Sequence, residues 1–231
     1  METTFVSLAA GVATVQHQVA DAAAASGRNP DDITIIAVCK TAPREAVDAA
    51  VELGLRHFAE NRVQDALRKF ETPLPPGCDL HLIGQLQTNK ARPAVGLFDV
   101  IESVDRLSLV TALEKEASRI EKRLPVLVQV NIAGEEQKAG CAPQDAHDLL
   151  AALTASAWLE PQGFMTMAPL VSDPEEVRHV FRGLRELRDQ LQEQFADVPL
   201  PVLSMGMSND YPVAIAEGAT LVRVGRAIFG G

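Results

Sequence analysis

Three lysines in this sequence stand where the side chain could form a covalent bond with a carbonyl compound. Lys40, Lys90 and Lys138 each follow a short apolar run that predicts a buried strand. A lysine that is partly desolvated at the end of such a strand can have its pKa lowered and can then form a Schiff base. Most loop lysines are simply solvated, so position alone does not choose among the three.

Two glycine-bearing turns late in the chain could bind a phosphate group. The first is SMGMSN over residues 204–209, and the second is RVGR over residues 223–226. Gly206 and Gly225 would let the backbone approach phosphate oxygens closely, and Arg226 would add charge-assisted hydrogen bonds. Ordinary turns between a strand and a helix are also rich in glycine and serine, so that interpretation stays open.

The helix predicted after residue 209 adds to this phosphate hypothesis. Ser208 and Asn209 are placed to cap it, because serine and asparagine are preferred at the N-cap position. The free backbone N–H groups and the dipole at such a helix start favour an anion.

Histidine and cysteine spacing indicates no metal site. The five histidines are scattered, with no HExxH motif and no close carboxylate cluster. We interpret His81 as a hydrogen-bonded core residue and Cys39, which has no evident base partner, as a buried thiol. An odd number of cysteines, three, without Cys-x-x-Cys spacing indicates free thiols in a reducing compartment, and we therefore expect a cytoplasmic protein.

Along the chain, β-rich runs alternate with amphipathic helical patterns. Several of the runs are almost continuously apolar, as parallel strands buried on both faces require. We predict an α/β fold: a (β/α)₈ TIM barrel forming a single domain over residues 1–231, with an extra N-terminal helix. A doubly wound open sheet is the alternative. In a barrel the active site is built at the C-terminal ends of the strands. The three lysines and both turns follow strands at that end. The predicted strands are 33–39, 55–59, 79–83, 98–103, 126–131, 163–167, 202–205 and 220–224.

The overall charge excludes some classes of partner. The 231 residues contain 21 Lys and Arg against 31 Asp and Glu, a net charge of −10. Nucleic acids and anionic membrane surfaces require a basic face, so we expect neither as a partner. The N-terminal stretch lacks the basic start of a signal peptide, and no apolar run approaches the length of a membrane span.

Several segments together resemble the family of pyridoxal phosphate homeostasis proteins, whose fold is that of the alanine racemase N-terminal barrel. They follow in order from about residue 33 to residue 230. The two longest motifs are long and specific enough to argue against a chance similarity. They are HLIGQLQTNK, and LSMGMSND followed by VRVGRAIFG. The other segments are AVCKTAPREAV, HFAENRVQDALRK, VLVQVNIAGEEQKAG and GFMTMAP.

The resemblance implies a cofactor, pyridoxal 5′-phosphate (PLP), and a role for each matching residue. Lys40 matches the Schiff-base lysine, Asn61 the asparagine beside the cofactor ring, and Arg223 the arginine that faces the pyridine nitrogen. At position 226 some relatives carry a small hydroxyl residue, at position 39 serine is common, and Ala59 replaces a frequent glycine. The implied phosphate-binding residues are Ser204, Gly206, Ser208, Gly225 and Arg226.

The same resemblance implies that the protein holds PLP more than it uses it. A cation beside the pyridine nitrogen disfavours its protonation, which weakens the ring as an electron sink. Alanine racemase needs a second base, a tyrosine from a separate domain, and Tyr211 is not an evident substitute. We expect a non-enzymatic PLP carrier, monomeric or weakly dimeric, that can deliver PLP to PLP-dependent apo-enzymes. A weak amino-acid racemase, or a barrel that binds another phosphorylated metabolite without a covalent bond, are the alternatives.

Overall fold

The computed structural model describes residues 2–135 and 137–230 of the chain. Eight parallel strands close into a barrel in which each strand pairs with the next along the chain. Closure is made by β1 and β8, where Ile35 lies opposite Val222 and Ile36 lies opposite Arg223. This pairing confirms the predicted (β/α)₈ barrel over an open sheet. The strands are β1 Thr34–Val38, β2 His57–Glu60, β3 Asp79–Leu82, β4 Val100–Val104, β5 Leu124–Gln129, β6 Leu159–Met165, β7 Val202–Met207 and β8 Leu221–Val224.

Helices connect the strands and cover the outside of the barrel. The extra N-terminal helix, α1, is present and packs against α8 and α9 through a buried stripe that includes Val12, Val15 and Val19. Short 3₁₀ turns precede β1, α4, α6 and α7. The helices are α1 Glu2–Ala25, α2 Arg44–Glu52, α3 Val63–Lys69, α4 Ala91–Leu97, α5 Leu107–Arg119, α6 Ala146–Thr154, α7 Arg178–Gln194, α8 Tyr211–Ala216 and α9 Arg226–Phe229.

Two strands begin earlier than the sequence predicted, and both do so through a proline. Pro125 lies inside β5 opposite Glu160, and Pro161 lies inside β6 opposite Val126. The register of this strand pair shifts directly afterwards, between Val126 and Leu127. Proline cannot donate to a ladder and is tolerated beside such irregularities, which is why starting each strand after its proline was wrong.

The interior of the barrel is filled mainly by apolar side chains, but a chain of polar groups crosses it. Glu102, Ser204 and Arg223 are almost fully buried on β4, β7 and β8. The assignment of residues 1–231 to a single domain stays a prediction, and Met1, Glu136 and Gly231 lie outside the described residues.

Candidate functional site

Lys40 lies just after the end of β1, with an exposed side chain next to the fully buried Cys39. Lys69 on α3 braces this turn, because its Nζ donates hydrogen bonds to the backbone oxygen of Cys39 and, at 2.6 Å, to Glu60 Oε1. Burial first, and then the charge of Glu60, raises the pKa of the Cys39 thiol to about 12, which fits the predicted buried thiol. Lys40 itself makes no hydrogen bond or ion pair with any described residue.

Asn61 follows β2, and its backbone is held against the turn after β3. A Cβ atom on Gly84 would lie 2.0 Å from the backbone oxygen of Asn61, so only glycine fits there. This close approach positions Asn61, which lines the same cavity as Lys40.

The turn after β7 is shaped by Gly206, whose φ of +91° favours glycine. A Cβ atom there would lie 2.7 Å from Ala214 Cβ and 2.9 Å from Tyr211 Cα. Gly206 therefore lets α8 pack closely against β7, and it does not line the cavity in the described chain.

The cap of α8 differs from the prediction. The N-cap residue is Asp210, and no side chain caps the helix, so the expectation that Ser208 and Asn209 cap it was wrong. The Asp210 carboxylate instead reaches back, and its Oδ1 accepts a hydrogen bond of 2.5 Å from the backbone N of Met207. Because Asp210 closes the turn in this way, Ser208 and Asn209 remain turned toward the cavity.

A cavity of about 370 Å³ opens at the C-terminal ends of the strands, among these turns. Gly225 lines it, and a Cβ atom there would lie 3.1 Å from the backbone oxygen of Val38. Part of the wall is apolar, and it includes Met167 and Leu170 after β6, which were not among the predicted site residues. The predicted site residues that line the cavity are Lys40, Asn61, Ser208, Arg223, Gly225 and Arg226.

Several polar side chains at this mouth lack partners among the described residues. Lys40, Asn61, Ser208, Asn209 and Arg226 form no side-chain hydrogen bond or ion pair with any other residue that the structure describes. Groups of this kind can donate to a small anionic ligand without first giving up a bond inside the protein.

Ser204 lies beneath the cavity, in the polar network of the barrel interior. Its hydroxyl donates to Glu102 Oε2 at 2.5 Å and accepts from Arg223 Nη1 at 2.6 Å. Arg223 Nη2 donates to the backbone oxygen of Thr166 at 2.6 Å. The guanidinium of Arg223 is therefore fixed from below while it lines the cavity from the side.

Glu102 is the charge that this network is built around. Burial alone would raise the pKa of the Glu102 carboxyl, but the hydrogen bond from His81, the charges of His81 and Arg223, and the bond from Ser204 outweigh it. The pKa of Glu102 is lowered, so the carboxylate is ionised beneath the cavity. His81 donates to Glu102 Oε1 through Nδ1 at 2.8 Å, which confirms it as a hydrogen-bonded core residue.

The other two candidate lysines lie elsewhere. Lys90 ends the 3₁₀ turn before α4, and Lys138 pairs with Glu135 at 2.7 Å in the loop after β5. Neither lines the cavity that contains Lys40.

Tyr211 lies outside the cavity as well. Its ring is buried and its hydroxyl donates to Gln18 Oε1 on α1. The only tyrosine of the chain is therefore turned away from Lys40 toward the N-terminal helix.

At the opposite end of the barrel, tertiary structure groups residues that the sequence spacing left apart. Potential ligand atoms of His57, Asp79 and His81 lie within 4.8 Å of one another. Burial, and then the neighbouring His81, lowers the pKa of His57.

No helix in the described part of the chain combines the length and apolar character needed to cross a membrane.

Comparison with known proteins defines the class and then the family. The family model described as alanine racemase, N-terminal domain, matches residues 12–231. An alanine racemase of Clostridium difficile superposes with a TM-score of 0.74 at 14% identity, covering 93% of this chain and 55% of that chain, a likeness of fold. The class is thus the alanine racemase N-terminal barrel.

Other relatives align over almost the whole chain. A pyridoxal phosphate homeostasis protein of Aquifex aeolicus is 39% identical over 216 residues, 94% of this chain and 94% of that protein. The structure of PipY from Synechococcus elongatus, with PLP bound, superposes with a TM-score of 0.85 at 37% identity, covering 96% of this chain and 100% of that one. The chain belongs to the family of pyridoxal phosphate homeostasis proteins.

Proposed function

We propose that this protein binds PLP in the cavity at the barrel mouth through a Schiff base on Lys40, and that it serves PLP homeostasis as a carrier. The observation that carries the proposal is the unpartnered Lys40 amine, which faces a cavity of about 370 Å³ together with the unpartnered Arg226 guanidinium. The Lys40 amine, in its neutral form, can condense with an aldehyde and release water, and the Arg226 guanidinium can bind a phosphate. The PLP-bound relative PipY supports the same assignment.

The other predicted site residues would act on different parts of the bound PLP. Gly225 and Ser208 would meet the phosphate beside Arg226, and Asn61 would lie beside the ring. Ser204 would act from beneath by holding Arg223, and Gly206 by letting α8 close the turn. The residues present therefore fit PLP in number, charge and cavity size.

Arg223 would suppress chemistry at a bound amino acid. When bound, PLP supplies an aldehyde and an electron-withdrawing ring, and the ring withdraws electrons best when its nitrogen is protonated. Burial lowers the pKa of Arg223, the charge of Glu102 offsets part of this effect, and Ser204 holds the guanidinium in place. A cation at this position disfavours protonation of the ring nitrogen. Tyr211 is turned away, so no tyrosine in the described chain reaches the cavity as a second base. Both features favour holding the cofactor over racemisation.

Delivery to PLP-dependent apo-enzymes in the cytoplasm is the role we assign to the loaded protein. Leu170 lines the cavity and leaves 77% of its surface exposed, so a recipient protein could bury it while drawing the cofactor out. We place the protein in the cytoplasm because all three cysteines are free thiols. We expect a monomer or a weak dimer, which light scattering during gel filtration would measure.

The central experiment is titration of PLP into the purified protein, followed by visible absorbance and by the mass of the borohydride-reduced peptide. We expect a Schiff-base band, its loss in Lys40→Ala, and its retention in the control Lys90→Ala. Borohydride reduction should leave the peptide that contains Lys40 heavier by the mass of the reduced PLP adduct. A band that persists in Lys40→Ala would contradict the assignment, and binding without any reducible linkage would favour a non-covalent phosphate binder.

Function beyond binding requires two further assays. Loaded wild-type protein should activate a PLP-dependent apo-enzyme, Lys40→Ala should not, and Leu170→Ser should load normally but transfer more slowly. A chiral assay for D-alanine should show no turnover above that of free PLP. Turnover far above free PLP would make the protein a racemase instead.

A further inference from the structure

We propose that His57, Asp79 and His81 bind a divalent transition-metal ion such as Zn²⁺ at the N-terminal end of the barrel, opposite the cofactor cavity. The proposal does not depend on PLP binding. It assigns a second binding site to the protein, formed by the first residues of β2 and β3.

The barrel register brings the three residues together. His57 and Asp79 are paired across β2 and β3, and His81 lies two residues further along β3. Side chains two residues apart on a strand point to the same face, so all three converge. This grouping is therefore a consequence of the backbone and not of flexible side-chain placement alone.

Two of the three separations match a metal site better than they match hydrogen bonds, and all three lie within 4.8 Å. His57 Nδ1 lies 3.4 Å from His81 Nε2 and 3.4 Å from Asp79 Oδ2. Good hydrogen bonds to nitrogen donors are about 2.7–3.2 Å long. A tetrahedral Zn²⁺ with nitrogen and oxygen ligands at about 2.0–2.1 Å holds neighbouring ligand atoms about 3.3–3.4 Å apart.

Hydrogen bonding orients the His81 ring toward the other two residues. His81 Nδ1 is bonded at 2.8 Å to the buried carboxylate of Glu102, so Nε2 is the ring nitrogen that faces His57. A carboxylate behind a ligating histidine is the usual outer partner in zinc sites, where it orients the ring and strengthens the ligand.

The solvent exposure of the cluster and the types of its ligand atoms indicate which ion it would bind. The side chains of His57 and Asp79 are 33% and 48% exposed, so an ion can enter from solvent and complete its coordination with water. Two imidazoles with one carboxylate suit Zn²⁺ and its neighbours, whereas Mg²⁺ and Ca²⁺ prefer oxygen ligands only. The adjacent Cys78 packs against the core cluster and is not needed as a ligand.

The test is titration of tag-free, full-length protein with Zn²⁺ by calorimetry and with Co²⁺ by visible spectroscopy. We expect one Zn²⁺ per chain and the d–d absorption of tetrahedral Co²⁺. Loss of a ligand in His57→Ala or Asp79→Asn should weaken binding more than the roughly 10–100-fold expected for Glu102→Gln, which removes only the outer partner. His57 and Asp79 are partly exposed, so these variants should fold as the wild type does, which circular dichroism would check.

Three control variants locate the ion. His147→Ala, Cys78→Ser and Lys40→Ala should bind Zn²⁺ as the wild type does, because these residues lie outside the cluster. Absence of binding by the wild type, unchanged binding in His57→Ala and Asp79→Asn, or its loss in Lys40→Ala or Cys78→Ser would each overturn the proposal.

Discussion

The mouth and the interior of this barrel treat charge in opposite ways. At the mouth, the cations Lys40 and Arg226 have no partner in the described chain. In the interior, Glu102 is bonded to His81 and Ser204, and Arg223 to Ser204 and Thr166. An unpartnered charge near solvent is inexpensive to keep and ready for a ligand, whereas a buried charge is tolerable only when it is paired.

This difference indicates how the protein can bind an anionic aldehyde with few residues. The interior network fixes Arg223 in place, and the residues above it remain available. Changes in the interior should therefore act mainly on stability, and changes at the mouth should act mainly on binding. The following predictions, ordered by their effect on the free energy of unfolding, test that division.

Glu102→Gln should destabilise the protein most. Removing one partner of a buried ionic network typically costs about 3–5 kcal/mol, because the remaining charges stay buried. Urea unfolding followed by circular dichroism measures this change. Glu160→Gln is the matched control, since its pair with Arg123 is exposed and should contribute less than about 1 kcal/mol. Equal losses in the two variants would mean that the interior network does not carry stability.

Gly84→Ala should act on both stability and binding. Its new Cβ would lie 2.0 Å from the Asn61 backbone oxygen, so the turn carrying Asn61 must move. We expect a loss of about 1–3 kcal/mol in urea unfolding and weaker PLP binding by absorbance. Gly96→Ala in α4 is the control, because no described atom lies within 4 Å of the added Cβ. It should gain about 0.5–1 kcal/mol and leave PLP binding unchanged.

The buried thiol beside Lys40 should make stability fall in alkali. The pKa of Cys39 is about 12 in the folded protein, against about 9 when unfolded. Between these values the unfolded chain loses the proton and the folded chain keeps it, so unfolding is favoured as pH rises. Once above pH 9, this adds a slope of about 1.4 kcal/mol per pH unit. Cys39→Ser, measured by urea unfolding at several pH values, should reduce the slope, and an unchanged slope would contradict the assignment.

Arg226→Ala should change stability least. Its exposed side chain has no partner in the part of the chain that the structure describes, so the free energy of unfolding should stay within about 0.5 kcal/mol. PLP affinity, titrated by absorbance, should nevertheless fall roughly 10–100-fold, since hydrogen bonds to charged groups contribute about 1.5–3 kcal/mol. Arg123→Ala is a surface control that should alter neither quantity. Undiminished affinity in Arg226→Ala would remove this residue from the phosphate site.

Local pattern was sufficient for the number and order of the strands. Alternation of apolar runs and amphipathic helices predicted all eight strands, and the position of Lys40 after β1 followed from that pattern. The starts of β5 and β6 were wrong because Pro125 and Pro161 are tolerated only beside a register shift, which depends on pairing between strands. The cap of α8 was wrong because Asp210 bonds back to Met207, a choice that three adjacent polar residues leave open.

By itself, the sequence determined the barrel, the strand ends that carry lysines and glycines, and, through resemblance, the family. Only the tertiary structure decided which polar groups are paired. Glu102, Ser204 and Arg223 are linked across more than a hundred positions of the chain, and His57 meets His81 only because β2 and β3 are in register. Periodicity along a chain records which residues face inward, but hydrogen bonds and metal ligands form between side chains that barrel closure brings together.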